Sequence, residues 1–454
     1  MMLWMFLLIG QIIKKKYLLI LFLIIGILFR SYAWQAFSLS FDQVQILTNA
    51  EKIISGKLTL IGPRTGPANT FTGPLIYYLA ALLIALFGSI KTAVLLPIIL
   101  STVTGLILYY LSIQYLDKKT ALFSFIIWSI SPLLINLDRI LWNPNLSLMA
   151  FAFVFYPLIF AKKINKVDLL LIALGSFLSY QAHFSAFLLP VIVFLITIID
   201  HRPKKLFFAS LIGLIISLLP TFIFDLRHNF LNSQGIWALL SNETSSLDLK
   251  SFFQNFYQNI LINFEVFSQL LYRGKNTLIR ISIGILLSII SLILQRDKKN
   301  LMKILKWPLL TIFLMSFYQS EIPQYYFLIN VPVFLYLLAN SFKRINYYFL
   351  IIFCLFLIFT STQYLNKIIS AQNDEFSLGN SLAIKNKILE IDQENDIREI
   401  NYLLPHASDF GIKYLIEPLN LIKDTGVKVN IIYAADQDLE VVARYGRIAI
   451  EIQE

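Results

Sequence analysis

A chain of 454 residues that is 57% hydrophobic and 14% charged has more apolar surface than a soluble globule of its size can hide; an average soluble domain carries about 25% charged residues. The mean hydropathy of +0.70 points the same way. The net charge of +11 is spread in short basic clusters between apolar runs, which is the pattern of cytoplasmic loops and not of a groove for phosphodiesters, so nucleic acid is excluded as a partner. The single cysteine, Cys354, lies inside an apolar run and rules out a disulfide framework and a Cys-based metal site.

Residues 1–13 are apolar but too short to span a bilayer, and Lys14, Lys15 and Lys16 follow. No small-residue cleavage pattern appears, so this start reads as an uncleaved anchor. Apolar runs then recur at 17–37, 92–113, 120–136, 145–161, 167–180, 184–199, 206–222, 277–294, 301–317, 325–341 and 345–362. They predict an all-α polytopic membrane protein of roughly eleven transmembrane helices.

A further run, 73–88, needs a decision. It holds about sixteen residues, or roughly 24 Å of helix, against a hydrocarbon core of roughly 30 Å. If it does not cross, the basic clusters at 14–16, 118–119, 162–166, 202–205, 296–299 and 343–344 all fall on one side of the membrane. If it crosses, the first cluster opposes the others. The positive-inside rule therefore makes it a juxtamembrane helix on the outer face. The same parity makes 167–199 two helices with a bend near His183. The outer face then receives 35–72, 137–143, the 181–183 bend, 224–276, 319–324 and the tail.

The tail, 363–454, changes composition abruptly. Strand-like patterning at 399–404, 428–433 and 448–452, with helical periodicity at 380–391, predicts a small extracytoplasmic α/β domain after a membrane domain of 1–362. The chain has no glycine-rich phosphate loop, no CxxC and no HExxH, and only four histidines.

The candidate chemistry sits on the outer face. Asp42, just past the first helix, reads either as a general base beneath a bound lipid or as a solvated cap of the next helix. Asp138 and Arg139 open the second outer loop. Asp138 is a second candidate catalytic carboxylate. Arg139 suits an anionic headgroup, or an internal ion pair with Asp138. Asn143 before Pro144 suits a helix start. Asp225, Arg227 and His228, flanked by Phe224 and Phe230, bring acid and cation to a helix end, where Arg and His suit a phosphate leaving group. Glu321, Gln324 and Tyr325 mark another outer helix end. His183 alone is a weak signal.

These features, in this order, resemble the C-type glycosyltransferase superfold, which uses lipid-linked sugars. The nearest family is family 39, the protein O-mannosyltransferases and lipid A aminoarabinose transferases. The resemblance covers roughly 17–340. It rests on an acid in the first outer loop (Asp42), on Gly73-Pro74-Leu75-Ile76-Tyr77-Tyr78, on Asp138-Arg139 with Trp142-Asn143-Pro144, and on Glu321 with Gln324-Tyr325-Tyr326. Two positions depart from the family. Its first-loop Asp-Glu is Asp42-Gln43 here, and its late histidine is Gln324, which puts a shared-metal scheme in doubt; a divalent metal is possible but unsupported. The resemblance implies an inverting transfer from a polyprenyl-phosphate sugar to an acceptor lipid, glycan or protein at the extracytoplasmic face, with Asp42 as base. Asp138 shares the catalytic assignment, and Arg139, Asn143, His183, Asp225, Arg227, His228, Glu321, Gln324 and Tyr325 bind substrate. Three alternatives stand beside it: a lipid-linked oligosaccharide polymerase or ligase, a flippase or transporter, and a non-catalytic relative.

Overall fold

The computed structural model describes residues 15–65, 70–245, 248–295, 298–318, 322–342, 347–370, 376–405, 408–433 and 441–453. Every apolar run of spanning length falls on helix. The first, α1 (Lys15–Ser31), ends just before Ala33, which adopts the left-handed region at φ 48° and turns the chain into the first outer loop. The amphipathic α2 (Phe41–Ile54) follows, started by a capping box between Ser40 and Gln43. A two-residue strand pair, β1 (Arg64–Thr65) with β2 (Thr70–Phe71), leads to α3 (Leu75–Phe87).

The α3 helix is the run at 73–88, and it is too short to cross. Thirteen residues make roughly 20 Å of helix, well short of the hydrocarbon core. Its ends also lie on one side. At its start, the Leu75 N–H donates to Gln181 Oε1 at 3.0 Å, at the outer bend. At its finish, Gly88, at φ 81°, passes directly into α4 (Ser89–Tyr115), and Ser89 Oγ donates to Glu51 of α2. Only the 27-residue α4 then runs inward.

The run 120–136 is expected as one helix, but the structure divides it into α5 (Lys118–Ile130) and α6 (Pro132–Leu137). Pro132 has no N–H for a continuing helix and pushes Ser131 to an extended ψ of 123°; Ser131 then caps the new start by accepting from the Leu134 N–H. A 3₁₀ turn, Asn143–Leu146, opens α7 (Ser147–Phe160). Next comes α8 (Lys166–Ala182), which stops at the extended His183. A 3₁₀ turn and α9 (Leu188–Ile199) return the chain, so the bend at His183 is where parity requires it.

α10 (Lys205–Arg227) packs tightly on α8. A Cβ on Gly213 would stand 2.0 Å from the Ala173 carbonyl, so only glycine permits that approach. The outer stretch 224–276 is not a plain loop. It holds α11 (Leu231–Ser245) and the amphipathic α12 (Leu249–Gln269), whose apolar stripe packs on α13 (Thr277–Leu294). The chain then forms α14 (Lys298–Met315), a 3₁₀ segment Gln324–Asn330, α15 (Val331–Phe342) and α16 (Tyr347–Ser370). The helices α7 and α15 are the innermost, and α13 keeps most of its surface outward.

In the tail, α17 (Leu378–Glu394), β3 (Ile397–Leu403), α18 (Phe410–Ile416), β4 (Val427–Tyr433), β5 (Ala443–Tyr445) and β6 (Ile448–Gln453) form a sheet of order β3-β4-β6-β5 under two helices. Only β3 and β4 pair in parallel. An isoleucine-rich core, including Ile384, Ile388, Ile431 and Ile450, joins helix to sheet. The expected strands and helix are all present. The structure adds β5 and α18, of three and seven residues, which are too short to show a period in sequence. Upstream of them, α16 runs unbroken across position 362 to Ser370.

Candidate active site

Asp42 occupies the first turn of α2 with its side chain open to the surroundings, and among the described residues no hydrogen bond or ion pair to it is found. Enough protein nevertheless crowds the carboxyl that desolvation raises its pKa above the ordinary aspartate value. Its charge acts on two phenols, Tyr77 of α3 and Tyr325 of the late 3₁₀ segment. Tyr325 belongs to an aromatic cluster: its ring centroid lies 5.1 Å from Trp142, 5.2 Å from His183 and 5.0 Å from Tyr326. Asp42 thus faces α3 and the start of the late 3₁₀ segment, and through Tyr325 the second loop and the bend join them.

The neighbour Gln43 has a different task. It is 2% exposed. Its Oε1 accepts from the Ser40 N–H at 3.1 Å and Ser40 Oγ at 2.7 Å, while its Nε2 donates to the Leu141 carbonyl at 3.0 Å. A glutamate accepts the first two bonds but has no proton for the third. The amide at 43 therefore stitches the first outer loop to the second and is not the partner of a metal site. A lone carboxylate beside neutral amides does not fit a divalent cation, and among the described residues no three metal-ligating side chains converge.

Asp138 is nearly buried and committed. Its Oδ2 receives Arg30 at 2.8 Å and Ser101 Oγ at 2.5 Å. Arg30 is itself fully buried, stacks over Trp128, and donates to the carbonyls of Gly26, Trp128 and Ser129. Arg139 does not pair with Asp138. It donates to the carbonyls of Arg30, Tyr32 and Ala33, where the end of α1 leaves them unsatisfied. Asn143 is the first residue of its 3₁₀ turn and not its cap, and its Nδ2 donates to Thr72 Oγ1 at 3.3 Å. These three side chains brace the outer loops.

His183 is 8% exposed, and burial lowers its pKa to about 4, so the ring is neutral near pH 7. Its Nδ1 accepts the Ser185 N–H at 3.1 Å, which leaves the ring proton on Nε2. The 225–228 group divides. Asp225 is buried and accepts from the Asn232 and Ser233 N–H groups, capping α11, so it is no partner for Arg227. Arg227 is exposed. His228 is also exposed, and its ring stacks on Phe224 with centroids 4.0 Å apart. Glu321 lies outside the described residues.

The sequence reading passed over the cations that do converge. Arg273, Lys275, Arg280 and Lys367 line a cavity of about 490 Å³ with Gln269, Gln324 and Tyr364. Arg280 is spoken for by Glu265 at 2.5 Å. Arg273 makes no ion pair among the described residues: its guanidinium lies over the Tyr364 ring at 5.1 Å and reaches the phenol at 3.5 Å, and the nearby Glu265 is held by Arg280. A second recess of about 250 Å³, lined by Arg273, Gln324 and Tyr325, links this cavity to the aromatic cluster at Asp42. Gln324 accepts from Gln269 Nε2 at 2.9 Å and so belongs to the wall between them. The available signal was Arg273 and Lys275 within a few residues of an outer helix start.

Comparison with known proteins agrees with this architecture. Residues 71–224 match the model of the dolichyl-phosphate-mannose-protein mannosyltransferase family. No curated protein matches the sequence. Among solved structures, ArnT from Cupriavidus metallidurans bound to undecaprenyl phosphate is similar at a TM-score of 0.61 and 10% identity, over 95% of this chain and 97% of that one. Its apo form gives 0.59 at the same identity and coverage. The archaeal oligosaccharyltransferase AglB from Archaeoglobus fulgidus, with an inhibitory peptide and a dolichol phosphate, reaches 0.44 at 13% identity, over 90% of this chain and 60% of that one, too low to bear on the fold. The chain shares its fold with the ArnT structure, and its long apolar helices make it an integral membrane protein.

Proposed function

We propose that the protein transfers a sugar from a polyprenyl-phosphate donor to an acceptor hydroxyl at the extracytoplasmic face, with inversion at the anomeric carbon. The observation that carries this reading is a carboxylate, Asp42, and a guanidinium, Arg273, neither in an ion pair among the described residues, on two sides of one wall formed by Gln324 and Tyr325. The chemistry needs both. Asp42 accepts the proton of the acceptor hydroxyl as its oxygen attacks the anomeric carbon. The bond from that carbon to the phosphate oxygen breaks, and the phosphate leaves with the electron pair toward Arg273. A guanidinium binds two phosphate oxygens at once. A desolvated, raised-pKa aspartate is a stronger base than an ordinary one. Tyr325, Trp142 and His183 supply aromatic surface for the sugar. The family match and the undecaprenyl phosphate held by the similar transferase favour a lipid-phosphate donor. Five of the six basic clusters, each at the helix end opposite Asp42, favour the outer face for transfer. On this reading 1–362 is the transferase unit and 363–454 an outer domain.

A lipid-linked oligosaccharide ligase is the second reading, favoured by the number of cations around the cavity, which suits a pyrophosphate. One experiment separates them. The purified protein is offered undecaprenyl-phosphate hexoses and aminopentoses, then undecaprenyl-pyrophosphate oligosaccharides, with cell-envelope extract as acceptor. Release of undecaprenyl phosphate is expected from the first set. Release of undecaprenyl pyrophosphate instead supports the ligase, and release from neither rejects both.

A further inference from the structure

The first outer loop is not completed by the membrane domain. The residues between α1 and α2 pair with the start of the tail domain: the Leu39 N–H donates to the Phe376 carbonyl at 2.8 Å, the Leu378 N–H donates to the Phe37 carbonyl at 2.8 Å, and Ser38 bridges Ser377 in antiparallel fashion. Leu39, 1% exposed, lies under α18, where a Cβ on Gly411 would stand 2.1 Å from the Leu39 carbonyl oxygen. Beyond it, Phe41 meets Phe410 edge to face at 5.0 Å. One turn from the far end of α2, Glu51 accepts from Tyr414 Oη of α18 at 2.5 Å and from Ser89 Oγ at 2.5 Å. The contacts therefore grip α2 on both sides of Asp42, and they come from residues more than three hundred positions away in the chain.

We propose that the tail domain positions the carboxylate of Asp42, through Gly411 and Tyr414, and is a working part of the active site. This rests on Asp42 acting as the base. Asp42 follows Leu39 by three residues, with only the cap Ser40 and Phe41 between, so a displaced Leu39 carbonyl moves the first turn of α2. An antiparallel bridge fixes the level of that strand. The close approach at Gly411 fixes its depth, and the Tyr414–Glu51 bond fixes the rotation of the helix about its own axis. None of these groups touches the Arg273 cavity, so donor binding and base placement rest on separate contacts.

That separation makes the proposal testable. In Gly411→Ala the new methyl forces a shift of roughly 1 Å at the Leu39 carbonyl, and a misplacement of that size costs about 10²-fold in rate. The expected result in the full-length protein, assayed by release of undecaprenyl phosphate from whichever undecaprenyl-phosphate sugar is turned over, is a kcat about 10²-fold lower with an unchanged donor KM and unchanged binding of undecaprenyl phosphate. Tyr414→Phe removes one oxygen, introduces no clash, and should lower kcat by a smaller factor, again without change in KM. A general loss of folded structure would lower the active fraction and the melting temperature together, so melting is recorded for each variant. If folded Gly411→Ala turns over at the parent rate, the proposal fails; should that variant not fold, an unchanged kcat in Tyr414→Phe overturns it equally. Asp42→Asn is assayed beside them. Full activity in that variant removes Asp42 as base, whereas an inactive Asp42→Asn with parent-like Gly411→Ala removes only the positioning role.

Discussion

The loops after α1 and after α6 each offer an aspartate at a membrane boundary, and the two residues have opposite fates. Asp42 stands open at the first turn of a helix, with no ion pair among the described residues. Asp138 is enclosed, held by Arg30 and Ser101. The same side chain at the same depth is thus a candidate base in one loop and a structural counter-ion in the other. The difference lies in the partner. A carboxylate that neutralises a buried guanidinium has given up the lone pairs a base needs, and removing it strands the cation.

Exchanging each aspartate for asparagine should break the comparison most sharply. Asp42→Asn should lower transfer by about 10²- to 10⁴-fold, the usual loss of general-base help, with an unchanged melting temperature. Asp138→Asn should do the reverse. It leaves Arg30 buried without a counter-charge, a loss of about 3–5 kcal/mol in stability, and whatever protein folds should retain turnover. Equal losses of turnover at constant stability would mean that both carboxylates do chemistry.

A smaller effect sharpens the same contrast among the cations. Arg227 is exposed at the end of α10, and Arg273 faces a cavity without a carboxylate. Arg273→Lys should weaken undecaprenyl phosphate binding by about 10- to 100-fold, since a charge-assisted hydrogen bond contributes about 1.5–3 kcal/mol and an ammonium cannot reproduce the bidentate geometry. Arg227→Lys should leave binding within about twofold. The opposite ranking, measured by titration of both variants, would return the phosphate to the end of α10.

The smallest expected effect is in the pH profile. Activity requires Asp42 deprotonated, so the rate should rise with pH through the pKa of that residue, above the ordinary aspartate range because desolvation raises it. His183, lowered to about 4, is neutral throughout the working range and should add no inflection near pH 6.5. Its burial has a stability consequence of definite sign. The unfolded chain takes up a proton near pH 6.5 and the folded one only near 4, so stability is fully present above about pH 6.5 and declines as the pH falls toward 4. His183→Gln should abolish that decline and leave the acid limb of the rate in place; movement of the limb would make His183 part of the proton path.

The membrane domain was legible because the bilayer imposes one requirement on every crossing, an apolar run long enough to satisfy its own backbone. Charge between the runs also set the short segment at α3 apart, and its helix is only thirteen residues long. The tail strands showed themselves by alternation, and Asp42, Tyr325 and His183 drew attention as candidates because a polar group at a membrane boundary is conspicuous. Local pattern said nothing of which polar groups find partners. Arg30 looked like an ordinary residue at a helix end and proved to neutralise Asp138 from 108 positions away. Arg273 looked like one of a few scattered loop cations until the helices beside it closed a cavity. Gln43 looked like a lost acid until its amide proton met the Leu141 carbonyl. Sequence by itself determined where the apolar helices lie, because that follows from transferring each segment out of water. Tertiary structure decided which charge is free and which is spent, because desolvation and pairing depend on neighbours that only the folded chain brings together.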